Sequence, residues 1–195
     1  GRKYDHACQL AAALAFVVMR AQDRAGFGLA RDGLRYYQQP SPAIPQLVQM
    51  LDTMQHQKPA GEAGLARALA QLAGKLHRGE IVIVLSDLWE DLDELFRAVA
   101  QVNYTGAEVI LFHILHPDEM DLPGWNDVVL LDSETHESVT VNVDDIRADY
   151  RLRVERYLAD VRARCRQFDA QYQFAPLSVP FQQTLEHYLV RRCTL

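Results

Sequence analysis

Ile81-Val82-Ile83-Val84-Leu85-Ser86-Asp87 is the stretch on which the reading of this chain turns. Five consecutive aliphatic residues, four of them β-branched, end on a hydroxyl and a carboxylate. A run with no polar face predicts a central parallel strand buried between two helix layers. In open α/β sheets ligands gather beyond the carboxyl ends of such strands, which is where Asp87 falls.

The flanking segments fit that frame. Leu65, Leu69, Leu72 and Leu76 form a helical stripe before the strand, and Leu92, Leu95, Phe96, Val99 and Val102 form another after it. Val109 to Leu115 then reads as a second buried strand, so the unit is a parallel crossover, right-handed by default. Nearer the start, Ala7, Leu10, Leu14, Val17 and Ala21 predict a helix from about Tyr4 to Gln22, apolar nearly all round and buried on more than one side. Phe27–Ala30 and Leu34–Gln38 form a predicted hairpin around Asp32-Gly33, a favoured two-residue turn. Pro40, Pro42 and Pro45 break the pattern before a short helix through Leu47, Met50, Leu51 and Met54.

Beyond the second strand, Val128–Leu131 and Ser138–Val143 are strand candidates joined by a polar loop, Asp132–Glu137. A long helix starts near Asp144, with Ile146, Tyr150, Val154, Tyr157, Val161, Cys165 and Phe168 on one stripe. Tyr172–Val179 is a last strand and Phe181–Val190 a last helix. The expected architecture is an α/β domain spanning 1–195, with an open, mainly parallel sheet and helices on both faces.

Composition narrows the function. With 195 residues the chain is long enough for one well-buried domain. A net charge of −6 argues against a general nucleic-acid binder. The longest apolar stretch, Leu10–Met19, is too short to cross a bilayer and lacks the features of a cleaved signal. Cys8, Cys165 and Cys193 are odd in number with no CxxC spacing, which points to reduced thiols in a cytoplasmic protein. Gly1-Arg2-Lys3 carries no initiator Met and reads as the start of a piece, the C-terminal part of a longer chain.

Two sets of carboxylates follow the strands: Asp87, Glu90 and Asp91, then Asp118, Glu119 and Asp121. Neighbouring strands would bring them to one edge, where hard cations such as Mg²⁺ take oxygen ligands and Ser86 adds a hydroxyl. The competing role is helix capping, which suits Glu90 and Asp91; Asp87 stays open between the two. His113 and His116 are an odd number apart on a strand, so they face opposite ways and make no joint metal site. No HExxH, paired CxxC or GxSxG pattern is present. Gly26-Phe27-Gly28 lacks the rest of a dinucleotide loop, and Gly61-Glu62-Ala63-Gly64 lacks the Lys-Ser/Thr of a phosphate loop. Trp89 and Trp125 fall at loop edges, either as partner anchors or as packing residues.

Several motifs then align with a known family: Lys3-Tyr4-Asp5 before an Ala-rich helix, Asp23-Arg24-Ala25-Gly26, the strand into Ser86-Asp87, His116-Pro117-Asp118-Glu119 with Leu122-Pro123, Leu131-Asp132-Ser133-Glu134-Thr135, Arg147 with Tyr150, and Leu189-Val190-Arg191-Arg192. In order and spacing, over nearly the whole chain, they resemble the domain-of-unknown-function 58 family, which has a von Willebrand factor A-like fold. The resemblance implies a non-enzymatic adaptor or scaffold acting with a MoxR-type AAA+ ATPase in assembly or maturation of a client protein. It also implies a metal-ion-dependent adhesion site, built from an Asp-x-Ser-x-Ser loop after the first strand, a later Thr, and an Asp after the fourth strand. Asp87 matches the last element. Ala63 stands at the Thr position, His116 stands where relatives tend to have Asp, and the Asp-x-Ser-x-Ser loop would precede Gly1.

These departures make Asp87 a remnant ligand, and the expectation is no bound metal or other cofactor, with Mg²⁺ possible only if upstream ligands exist. Ser86, Asp87, Trp89, Ala63, Asp118 and Glu119 form the expected partner-binding edge. The first strand of such a fold is normally central, so the sheet is expected either to close over the gap or to pair with another chain, a homodimer through the open edge included. The alternative function is a metal-dependent hydrolase with Asp87, Asp118 and Glu119 as ligands or base.

Overall fold

The computed structural model describes residues 2–57, 64–122, 127–131 and 138–193. Strand β3 (Ile81–Ser86) pairs in parallel with β4 (Glu108–Leu115), and β4 pairs in parallel on its other side with β7 (Ala170–Pro176). The registers put Ser86 opposite His113 and His113 opposite Phe174. Among the described residues the centre of this sheet is therefore β4, and the β3 run is its edge, with Ile81 45% exposed.

The expectation that Ile81–Leu85 is a central strand is corrected by this order. An all-apolar run reports that both faces are covered, and they are. On one face Val82, Val84, Val109 and Leu111 pack against α3 (Leu65–Ala73), α4 (Leu92–Tyr104) and α6 (Val143–Gln167), through Leu69, Leu95, Phe96, Val99, Val161 and Cys165. On the other, Ile83, Ile110, Phe112 and Ile114 pack against α1 (Lys3–Arg20) and α7 (Phe181–Cys193), through Leu10, Leu14 and Tyr188. Side-chain polarity records these layers; it does not record whether a strand's backbone edge has a neighbour.

The hairpin β1 (Ala25–Ala30) and β2 (Leu34–Ser41) is a separate antiparallel sheet, so the sheet does not close over the expected gap: among the described residues β3 has no partner on its outer side. Asp32 and Gly33 both take positive φ, as the predicted turn requires, but Arg31 joins them in the loop and the pairing shifts by a bulge. Helix α2 (Ile44–His56) lies against α1, with Met50 and Met54 buried against Ala15. Gly64, at φ +56, precedes α3, and a β-carbon there would lie 2.8 Å from the Gly33 amide nitrogen. Only glycine fits, and this close approach docks the hairpin turn on the start of α3.

The remaining predicted elements form. The strands β5 (Asp127–Leu131) and β6 (Ser138–Asn142) pair antiparallel. Ala63, Trp125 and the Asp132–Glu137 loop lie outside the described residues.

Candidate functional site

The parallel strands deliver two loops to one end of the sheet, and the first is built around Leu88. This residue has φ +57, a left-handed conformation unusual for a branched side chain, and is 0% exposed. Burial of the isobutyl group holds the turn in that conformation. The Ser86 hydroxyl accepts from the Leu88 amide at 3.1 Å, and the Tyr157 hydroxyl, from α6, donates to the Leu88 carbonyl. Asp87 and Trp89 are thereby turned outward on either side of a buried plug. Trp89 stacks on Tyr157, ring centroids 4.6 Å apart and planes 16° from parallel, and stays 46% exposed.

His113 lies in the core of β4 below this turn. Its Nδ1 is 3.0 Å from the Tyr172 hydroxyl, and the rings of Tyr157, Tyr172 and Phe174 surround it edge-on. Burial depresses its pKa to about 4; the Asp87 backbone and carboxylate pull the other way without offsetting it. At neutral pH the ring is uncharged, as a structural histidine. His116 lies apart from it, past the end of β4 at the N-terminus of the short helix α5 (Pro117–Met120), so the two rings are separated by the chain leaving the strand and not by opposite faces of one strand.

The carboxylates divide by role. Asp91 caps α4, accepting from the amides of Asp93 at 2.8 Å and Glu94 at 3.0 Å. Glu90 also caps, but across space: it accepts from Leu65 at 2.6 Å and Ala66 at 3.2 Å, the first amides of α3. Asp118 stays beside His116, 3.3 Å from its Nδ1. Asp121 is held by Arg151, whose hydrogen bonds keep its carboxyl below the usual range. Glu119 closes its own loop by accepting from the His116 amide at 2.8 Å, and the Tyr150 hydroxyl donates to its carbonyl at 3.0 Å.

Of the expected set, then, Asp87 and Glu119 are brought together, and Lys3 joins them. Its Nζ lies 2.5 Å from Asp87 Oδ2 and 2.5 Å from Glu119 Oε1. All three side chains are about one-third exposed. Burial lowers the ammonium's pKa, but hydrogen bonds to the two carboxylates more than compensate, so it stands above its ordinary value. Beside this triad a cleft of about 370 Å³ opens between the start of α1 and the loops after β4 and β7, lined by Arg2, His6, Gln9, His116 and Ser178.

The metal implied by the adhesion-site resemblance can be tested against this geometry. A divalent cation bound to Asp87 and Glu119 would sit at the oxygens that hold Lys3 Nζ, and two cations cannot share that point. No group of three or more His, Cys, Asp or Glu side chains converges elsewhere among the described residues. The residues present do not fit the metal while Lys3 is in place.

A family model described as "Protein of unknown function DUF58" matches residues 1–160. The chain belongs to that family. No curated protein matches it. Among solved structures, the family member is similar to the conserved hypothetical protein BatB from Bacteroides thetaiotaomicron. The TM-score is 0.59 at 12% identity, over 98% of this chain and 89% of that one. It is also similar to an aerotolerance-related membrane protein from Bacteroides fragilis NCTC 9343 carrying multiple mutations to serine, with a TM-score of 0.57 at 10% identity, over 94% of this chain and 85% of that one. At such identities the likeness concerns the fold: an open, von Willebrand A-like α/β sheet. Among the described residues of this DUF58 chain, no helix is long and apolar enough to cross a membrane.

Lys3 is the site residue that sequence reasoning did not place. It entered only as part of a motif, 84 positions from Asp87 and 116 from Glu119. One local signal was available: a lysine in the first turn of a helix opposes the helix dipole.

Proposed function

We propose that this chain is a non-enzymatic interaction module that works with a MoxR-type AAA+ ATPase, on the cytoplasmic side where ATP is available, in the assembly or maturation of a client protein. The observation that carries the reading is the build of the Asp87–Trp89 turn. A half-exposed tryptophan is braced by stacking on Tyr157, and Leu88 is buried beneath it. A large aromatic ring held rigidly at a surface, flanked by polar groups, has the composition of a binding hot spot. The nearby carboxylates favour recognition over chemistry. Asp87 and Glu119 are committed to Lys3, and Glu90 and Asp91 to helix amides.

The test is direct binding between the purified protein and the MoxR-type ATPases of its own organism. One of them is expected to bind, and Trp89→Ala to weaken that complex at least tenfold, a loss of about 1.4 kcal/mol, with unchanged circular dichroism and melting. Trp89→Phe should retain part of the affinity. Absence of binding by every such ATPase, or equal binding by Trp89→Ala, sinks the proposal. Phosphoester or peptide hydrolysis abolished by Asp87→Asn would establish the hydrolase reading in its place.

A further inference from the structure

We propose that the Lys3 ammonium is the resident cation of this sheet edge, taking the place that a divalent ion would hold between Asp87 and Glu119. The inference concerns the inorganic chemistry of the edge and holds whether or not an ATPase docks there.

Three observations carry it. The first is position. The two carboxylates come from different loops, after β3 and after β4, and meet on one nitrogen at 2.5 Å each. Two oxygens so placed are no more than about 5 Å apart, a separation at which like charges repel strongly unless a cation lies between them. The second is anchoring. Lys3 opens α1, whose Leu10 and Leu14 are buried against the sheet, so the ammonium is delivered from a fixed element. The third is a local rule broken with a compensating gain. A lysine at the first position of an 18-residue helix faces the positive end of the helix dipole, an unfavourable place that the two carboxylates repay.

A lysine ammonium is a compact point charge with three donors, two of which are used here. It can neutralise the pair and tie the two loops together as a metal does. It differs in being covalently supplied, so the edge is assembled without regard to metal supply. Any divalent ion entering here must first displace Lys3 from the same oxygens.

The experiment uses Mn²⁺ as the probe, read by thermal unfolding and calorimetry on the intact chain. Wild type is expected to melt at the same temperature in millimolar Mn²⁺ and in EDTA. Lys3→Met should melt about 2–4 °C lower, and Mn²⁺ should restore at least half of the loss and bind at least tenfold more tightly than to wild type. Adding Asp87→Asn to Lys3→Met should abolish that response, which assigns it to this locus. Lys3→Arg should need no metal. The proposal is overturned if Mn²⁺ stabilises wild type and Asp87→Asn removes the effect, because the ion and Lys3 would then coexist. It is equally overturned if Lys3→Met melts like wild type, or is destabilised without relief by Mn²⁺; the latter would make Lys3 an ordinary ion pair.

Discussion

Strands β3 and β4 read almost alike as sequence, yet they occupy opposite situations. Ile81–Leu85 is an aliphatic run and Val109–Phe112 an aliphatic and aromatic one, each followed by a polar residue. From Val109 to Leu115 every residue of β4 is buried, whereas β3 alternates between buried and partly exposed, and Ile81 is half in solvent. The difference lies in hydrogen-bonding neighbours: β4 has one on each side, and among the described residues β3 has one only. Side-chain pattern reports the layers above and below a strand, while backbone pairing within the sheet plane leaves no mark on it.

That contrast can be broken by substitution. Phe112→Ala, at the middle of β4 with the ring edge-on to Tyr188 at 5.2 Å, should cost about 3–5 kcal/mol in denaturant unfolding. A loss below about 1 kcal/mol would show that β4 is not the centre of the core. One residue further on, His113 makes the same strand sensitive to pH. Its folded pKa of about 4 lies below the ordinary value of 6.5. Between these values the unfolded chain binds a proton that the folded chain does not. Stability is therefore fully present above pH 6.5 and falls as pH drops towards 4, by about 3 kcal/mol in all. His113→Phe should flatten that part of the pH profile, and an unchanged slope would mean that another group causes it. The smallest effect belongs to the edge strand: Ile81→Thr should change stability by no more than about 0.5 kcal/mol. A loss like that of Phe112→Ala would mean that Ile81 is covered in solution.

Much of the fold was legible because helices and strands announce themselves by period. The stripe from Ile146 to Cys165 became α6, with Phe168 just past its end, and the turn at Asp32-Gly33 formed where expected. The site was legible in outline, since Asp87 and Glu119 do converge at the carboxyl ends of adjacent strands. What could not be read were the long-range partners. Glu90 caps α3 across 25 positions although α4 begins two residues after it, and Lys3 reaches two loops far along the chain. Such contacts depend on how rigid elements dock, and docking is decided by volumes and edges summed over the whole core. No local period encodes it.

The buried Leu88 has a consequence for binding thermodynamics. A surface loop that must become ordered on contact gives up part of its interaction energy to lost conformational freedom. Here the residue between Asp87 and Trp89 is sealed in the core in a left-handed turn, its carbonyl is held by Tyr157, and its amide is held by Ser86. That ordering cost is met during folding, before any partner arrives. On the proposed reading, a partner docking at Trp89 would meet a ring already placed by the fold, and its own surface would have to match that placement.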